Sequence, residues 1–260
     1  MRTLVMKFGG AALSTPTRFS LTAQWIHKRL IEFPRIVVAV SAMGKTTDQL
    51  LMLSRKVHPS PPKREQDMLV TAGERVSMSL LAMALDLEGI DAISFTGSQS
   101  GILTSLDHGE AKILGVRPYR IEEALNVGQV VIVAGFQGVN EKKEVTTLGR
   151  GGSDTSAVAL AVALGAEQVE FYKDVPGIGA EDPNGVPDTK IFKELSYEKA
   201  IKIAVQGARV LHARALQLAQ KNRLPLEVRS FLKPEITGTR ISSQMAPTNE
   251  PIFEEESVYG

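Results

Sequence analysis

A chain of 260 residues with 43% apolar and 23% charged side chains has the make-up of an ordinary globular enzyme, with room for one large α/β domain or two lobes around a substantial core. A net charge of +1, with no basic run interleaved with aromatics, argues against nucleic acid as a partner. The lack of cysteine excludes disulfides, thiolate metal sites and cysteine nucleophiles, and His27, His58, His108 and His212 have no zinc-ligand spacing.

The N-terminus runs almost directly into a strand without a signal-peptide pattern, and no apolar run approaches membrane-spanning length. The expectation is a cytoplasmic protein, or the mature form of an organellar one, with no membrane partner. Leu4 to Phe8 reads as a buried first strand opening at Lys7-Phe8 into the Gly9-Gly10 turn. Ser14-Thr15-Pro16 supplies a cap and a first-turn proline for a helix whose apolar stripe is Phe19, Ala23, Ile26 and Leu30. Ile36 to Val40, ending at Ser41, has the continuous apolar character of a central parallel strand.

A second helix is predicted from about Thr46 to Lys56, broken by the proline-rich patch from His58 to Pro62, and a third from Asp67 to Leu87 carrying Gly73-Glu74-Arg75. Ala92 to Phe95 reads as a short strand, and Gly97 to Gly115 as an irregular or hairpin region over a site. Val130 to Ala134 is a strand ending at Gly135-Phe136, followed by a hairpin-like stretch from Gly138 to Thr147. Val169 to Lys173 is a strand ending at Asp174-Val175-Pro176-Gly177, with turn composition to Pro187. Helices follow from about Ser196 to Gln206 and His212 to Lys221, then a strand from Leu226 to Phe231. This alternation predicts a mainly parallel sheet with helices on both faces and ligands outside the carboxyl ends of the strands, where Lys7, Ser41, Phe136 and Asp174 should converge.

The stretch from Thr147 to Leu164, TLGRGGSDTSAVALAVAL, is a glycine-rich loop feeding a helix N-terminus. Gly149, Gly151 and Gly152 let the backbone come close to an anion that the helix dipole favours. The plainer reading is a tight turn with Ser153 or Asp154 as N-cap. Arg150 tips the balance towards a ligand, because a guanidinium between glycines can clamp a carboxylate or phosphate.

Six motifs then occur in one order: Lys7-Phe8-Gly9-Gly10; Val40-Ser41-Ala42-Met43-Gly44; Gly73-Glu74-Arg75; Leu148 to Asp154; Asp174-Val175-Pro176-Gly177-Ile178 with Asp182-Pro183; and Gly207-Ala208-Arg209-Val210-Leu211-His212. In this combination the chain, from about Leu4 to Ser242, resembles the aspartate kinases, of the amino acid kinase fold. The resemblance implies a three-layer αβα sandwich over residues 1–242, with an N-terminal substrate lobe to about 135 and a nucleotide lobe from about 136; the tail over 243–260, with Pro247, Pro251 and Glu254-Glu255-Glu256, reads from its composition as poorly ordered or loosely docked. The resemblance also implies transfer of the γ-phosphoryl group of ATP, with Mg2+, to the side-chain carboxylate of L-aspartate, the first step towards lysine, threonine and methionine, by a homodimer.

Carried over residue by residue, Lys7 would face the transferring phosphoryl group and Asp154 would orient it, Arg150 would bind a substrate carboxylate and Glu74 the substrate ammonium. Ser41, Thr47, Phe136 and Gly152 would line the aspartate pocket; Gly9, Gly10, Lys173, Asp174, Gly179, Asn184 and Arg209 would meet the nucleotide. No residue is assigned to a protein-bound metal. Chemistry supports these roles, since phosphoryl transfer asks mainly for positioning and positive charge, and an acceptor carboxylate needs no general base.

The chain departs from the family pattern at Ala11 and Ala12, where hydroxyls are usual, and at Gly179, Asn184, Arg209 and Ala213. Only about thirty residues follow Ser230, too few for an ACT effector-binding domain, so a catalytic module without built-in feedback inhibition is expected. Competing readings keep the fold and change the acceptor to glutamate, N-acetylglutamate, carbamate or UMP, or make the chain a ligand-binding subunit without turnover. Glu74 discriminates among acceptors, because an acetylated amine or a uridine offers no ammonium to pair with it.

Overall fold

The computed structural model describes residues 2–179, 189–207, 210–243, 248 and 250–255. In chain order, β1 (Thr3–Phe8), α1 (Pro16–Leu30) and β2 (Arg35–Val40) are followed by three helices, α2 (Thr46–Val57), α3 (Lys63–Val70) and α4 (Ala72–Leu87). Then come β3 (Ala92–Phe95), β4 (Ile102–Thr104), β5 (Ile113–Val116), α5 (Tyr119–Asn126), β6 (Val130–Ala134), β7 (Gln137–Val139) and β8 (Val145–Thr147). The remainder is α6 (Gly152–Ala163), β9 (Gln168–Lys173), β10 (Glu194–Leu195), α7 (Tyr197–Val205), α8 (Ala213–Asn222), β11 (Leu226–Ser230) and β12 (Lys233–Ile241).

The main sheet has the order β10-β12-β11-β9-β1-β2-β6-β3, and only β11 and β12 pair antiparallel. Helices cover both faces, one core gathering side chains of α5, α6, α7 and α8 and the other those of α1 and α4. This is the three-layer α/β sandwich with a mainly parallel sheet that the alternation predicts. A second, smaller sheet, β5-β4-β7-β8, stands over the carboxyl end of the first and contains the hairpin expected between Gly97 and Gly115.

Strand periodicity decides which side chains can reach a common site. On β1, Leu4, Met6 and Phe8 enter the core under α1, while Val5 enters the core under α6. Lys7 shares the parity of Val5, so it points to the α6 face. On β9, Val169 and Phe171 lie on that same face, and Lys173 continues their parity at the strand end. Because β1 pairs with β9 in the register Lys7↔Phe171, the two lysines meet beside the start of α6.

Several elements differ from expectation for identifiable reasons. The helix predicted from Asp67 to Leu87 is two helices, α3 and α4, separated at Thr71, whose carbonyl accepts from Gln137 Nε2 at 3.3 Å. Taken together, Lys63–Leu87 is long and apolar enough to cross a membrane by length and composition alone, contrary to the sequence reading. Half of that window is buried inside the fold, and it carries Asp67 and Glu74 inward, as a core helix does. Helix α5 was not anticipated, although Ile121, Ala124 and Leu125 form its buried face. Strand β12, also unanticipated, pairs antiparallel with β11 and carries the two-residue β10 at that edge of the sheet.

The described residues 250–255 make contacts with the fold. Asn222, itself buried, brackets Ile252 with two hydrogen bonds of 2.8 Å, Phe253 packs against the larger core, and Glu254 donates its N–H to the Ile113 carbonyl at 3.0 Å. A buried asparagine needs partners for its amide, and the tail backbone supplies both.

Candidate active site

The carboxyl ends of β1, β2 and β6 and the start of α6 open into a cleft of 720 Å³ beneath the second sheet. Lys7, Gly10, Ser41, Thr47, Glu74, Phe136, Arg150, Gly152 and Asp154 all line it. Residues spread over most of the chain are thus brought together by strand ends, α2, α4 and the loop before α6. Asp174, expected to converge with them, is exposed at the end of β9 and does not line this cleft. Lys173 reaches the site through Asp154. Gly9 does not line the cleft, although a side chain there would stand only 3.6 Å from Lys7 Nζ. Gly179 pairs with Ile191 in a short antiparallel bridge and is buried away from the cleft. Asn184 and Arg209, with Asp182, Pro183 and Ala208 of the same motifs, lie outside the described residues.

Asp154 is the electrostatic centre. Its Oδ1 lies 2.7 Å from Lys7 Nζ and its Oδ2 3.0 Å from Lys173 Nζ, with all three side chains largely buried. Burial alone would push this carboxyl up, but Lys173 and Lys7 outweigh it and hold the group far below the usual carboxylate range. Lys173 is lowered to about 8 by burial and by the neighbouring Lys7, with Asp154 opposing. Asp154 is not an N-cap, contrary to the plainer sequence reading: Gly151 takes that position with φ of 72°, and no side chain caps the helix. The carboxylate in the first turn is instead committed to the lysines. Two ammonium groups on one carboxylate leave net positive charge beside an uncapped helix N-terminus, which suits an anionic group.

Glu74 is the opposite case. It is buried in the first turn of α4; Oε1 accepts from the Ala42 N–H at 3.1 Å, while Oε2 has no hydrogen-bond partner among the described residues. Burial raises its carboxyl to about 7, against the opposing pull of the Glu74 and Ala42 N–H groups. A buried carboxylate with one unmatched oxygen on a cleft wall is made to receive a cation. Arg150, exposed on the loop between two left-handed glycines, supplies the complementary charge in the same cleft.

Two backbone features shape the space. Phe136 has φ of 69°, a left-handed conformation rare for an aromatic residue, and its N–H donates to Ser156 Oγ at 3.0 Å. At Gly10 a Cβ would stand 2.7 Å from the carbonyl oxygens of both Ala42 and Gly44, so the β1 turn can seat against the β2 turn only with glycine there.

Asp67 also lines the cleft and was not singled out from the sequence. It is buried and ties α3 to the second sheet, accepting from Thr147 Oγ1 (2.5 Å), Thr147 N–H (3.2 Å) and Gly109 N–H (3.1 Å), with His108 Nδ1 at 2.8 Å. A signal existed: within the single helix read from the sequence, Asp67, Val70 and Glu74 stand at i, i+3 and i+7, the spacing of one helical face.

Residues 2–230 match the model of the amino acid kinase family. The aspartokinase of Corynebacterium efficiens is 47% identical over 259 residues, which is 99% of this chain and 60% of that protein. That of Mycobacterium tuberculosis is 48% identical over 97% of this chain and 61% of its own length. The chain therefore spans about 60% of the length of these curated relatives. Among solved structures, aspartate kinase from Synechocystis superposes with a TM-score of 0.85 at 41% identity, covering 97% of this chain and 42% of that one. E. coli aspartokinase III in complex with aspartate and ADP gives 0.84 at 26% identity, covering 94% and 65%. A UMP kinase from Bacillus anthracis shares the fold, with a TM-score of 0.68 at 17% identity over 98% of this chain and 99% of that one. A match over residues 2–230, on a sheet whose strand ends build this cleft, makes the chain a member of the amino acid kinase family.

Proposed function

We propose that this chain is an aspartate kinase module, which transfers the γ-phosphoryl group of ATP to the side-chain carboxylate of L-aspartate to give 4-phospho-L-aspartate and ADP. The observation that carries the reading is the unmatched Oε2 of buried Glu74 in the same cleft as Arg150. A free amino acid brings one ammonium and one carboxylate to such a pair. An acceptor without an ammonium, such as UMP or N-acetylglutamate, would leave Glu74 uncompensated, and the carbon backbone of glutamate is one methylene longer.

In this mechanism Glu74 holds the ammonium, Arg150 the α-carboxylate, and Ser41, Thr47, Phe136 and Gly152 shape the pocket around the side chain. The acceptor carboxylate is ionised near neutral pH and attacks the γ-phosphorus directly; the new P–O bond forms as the bond to the β–γ bridging oxygen breaks and ADP leaves. Lys7 stabilises the equatorial oxygens, and Asp154 aims Lys7 and Lys173. Gly9, Gly10, Lys173, Asp174, Gly179, Asn184 and Arg209 are assigned to the nucleotide. In this division residues 1–135 form the acceptor lobe and 136–242 the nucleotide lobe, with Phe136 and Arg150 reaching across.

Magnesium fits as a passenger on the nucleotide, where it would neutralise phosphate charge. Among the described residues no three His, Cys, Asp or Glu side chains form a cluster, and both oxygens of Asp154 are taken by lysines. The complex of E. coli aspartokinase III with aspartate and ADP supports the choice of substrates. We assign the module to the cytoplasm, to the pathway branch leading to lysine, threonine and methionine, and to a homodimer, which light scattering tests.

The direct test is ADP release with ATP and magnesium, offering aspartate, glutamate, N-acetylglutamate and UMP side by side. Turnover with aspartate at least about a hundredfold above the others is expected. Preference for any of the other three rejects the assignment.

A further inference from the structure

We propose that Arg214 and Glu254 are a positioning pair for the Gly149–Gly151 loop, through which the C-terminal segment over 250–255 sets how Arg150 meets its anion. Arg214 stands in the first turn of α8, where the helix dipole disfavours a cation. It is nonetheless drawn in, with a side chain only 14% exposed, and its guanidinium is used on every side. Nε and Nη2 donate to the two oxygens of Glu254 at 2.5 and 2.7 Å, Nη2 also to the Ala111 carbonyl at 2.6 Å, and Nη1 to the Leu148 carbonyl. Leu148 is the last residue before the glycine-rich loop.

The loop therefore has three anchors. The Leu148 N–H donates to the Phe136 carbonyl at 3.0 Å, Arg214 takes the Leu148 carbonyl, and His212 closes on Gly151, where a Cβ would stand 2.2 Å from the imidazole Cγ. Two of the three come from the start of α8. Arg150, by contrast, has no hydrogen bond or ion pair of its own among the described residues; it lines both the main cleft and a neighbouring one of 600 Å³. Nothing on its side chain decides between the two, so the loop backbone must.

Glu254 is equally committed. Besides Arg214 it accepts from the Ile113 N–H at 2.7 Å, and its own N–H donates to the Ile113 carbonyl at 3.0 Å. Phe253 and Ile252 seat the same segment on the core and on Asn222. The tail is thus wired to the loop by one doubly bonded carboxylate, the geometry in which charge-assisted hydrogen bonds are strongest. That Arg150 grips the acceptor's carboxylate rests on the aspartate kinase reading; that the pair holds the loop does not.

The test uses the full chain with Glu254→Gln, and with Arg214→Gln as a second variant. The KM for aspartate should rise about tenfold, with kcat and the KM for ATP within about twofold of wild type. In an Arg150→Ala background Glu254→Gln should add nothing further, since the pair acts through Arg150. Amide exchange over residues 148–152 should quicken in both variants. An unchanged KM for aspartate, a uniform loss in all three parameters, or additivity with Arg150→Ala overturns the proposal. Should the wild type fail to turn over aspartate, the functional assignment fails, and the exchange measurement still decides: unchanged protection of 148–152 in the folded variants refutes the pair.

Discussion

Glu74→Gln separates what the cleft needs for stability from what it needs for binding. The substitution keeps the size of the side chain and an oxygen for the Ala42 N–H, and it removes the charge. In the free protein the carboxyl is raised by burial from 4.5 to about 7. A folded-state value above the unfolded one means that the folded state binds the proton more tightly. The stability contributed by the protonated form is therefore present in full below about 4.5 and is lost as pH rises to about 7. At 1.36 kcal/mol for each tenfold in proton affinity, the loss is about 3 kcal/mol at pH 8. Glutamine does not ionise, so the variant should be more stable than wild type by about 1–3 kcal/mol at pH 8 and nearly equal at pH 4.5. Urea unfolding midpoints at the two pH values measure the difference.

The same change should cost aspartate at least about a hundredfold in affinity by calorimetry, because its ammonium then meets a neutral amide. Wild-type affinity should rise with pH through about 7, as Glu74 ionises, and that rise should be missing in the variant. A variant no more stable than wild type at pH 8, or one binding aspartate equally well, would refute the picture of an acid kept unpaired for a ligand.

Lys7→Ala should lower kcat by at least about a hundredfold in the ADP-release assay, with the KM for aspartate little changed, as expected for a group that acts on the transferring phosphoryl. Asp154→Asn leaves Lys7 and Lys173 buried against each other without a counter-charge and should destabilise the fold by about 3–5 kcal/mol in urea. In wild type the contribution of Asp154, whose carboxyl is held low, is present above about 3.8 and lost as pH falls below that, so the variant's acid unfolding should begin from a lower plateau without that step. Gly10→Ala forces a methyl to within 2.7 Å of two carbonyl oxygens and should cost about 1–3 kcal/mol, with a fall in kcat/KM as the β1 turn lifts from the β2 turn.

The parts of this protein legible in its sequence are those where one physical signal acts alone. β2 and β6 are almost wholly apolar runs, β1 and β9 are mainly apolar ones interrupted by Lys7 and Glu170, all are followed by polar or glycine residues, and they start and stop within a residue of expectation. α1 is announced by Thr15 and Pro16, and its cap is made as predicted, Thr15 Oγ1 accepting from the Arg18 N–H at 3.3 Å. β12 was hidden because Pro234 and Gly238 interrupt it and its outer residues face solvent; only Thr239 and Ile241 are buried in the sheet. At the break, the Thr71 hydroxyl donates to the Met68 carbonyl at 3.1 Å and the Thr71 carbonyl accepts from Gln137, far along the chain, a contact no local pattern encodes. Arg214 and Glu254 were invisible for the same reason, since each has an ordinary solvent-facing context in sequence and finds the other across forty positions.

The two buried acids of the cleft are displaced in opposite directions, and that contrast assigns their work. Asp154 has more positive charge around it than it can neutralise, so its oxygens are occupied and its proton is gone; it can act as neither a base nor a ready metal ligand. Among the described residues Glu74 has no cationic partner, and one of its oxygens is left without a hydrogen bond. A site built this way spends no residue on proton transfer, which suits a nucleophile that arrives ionised. On the aspartate kinase reading proposed above, its two poles, an unmatched acid at one wall and surplus cations at the other, would orient a zwitterionic acceptor with its ammonium to Glu74 and its reacting carboxylate towards Lys7.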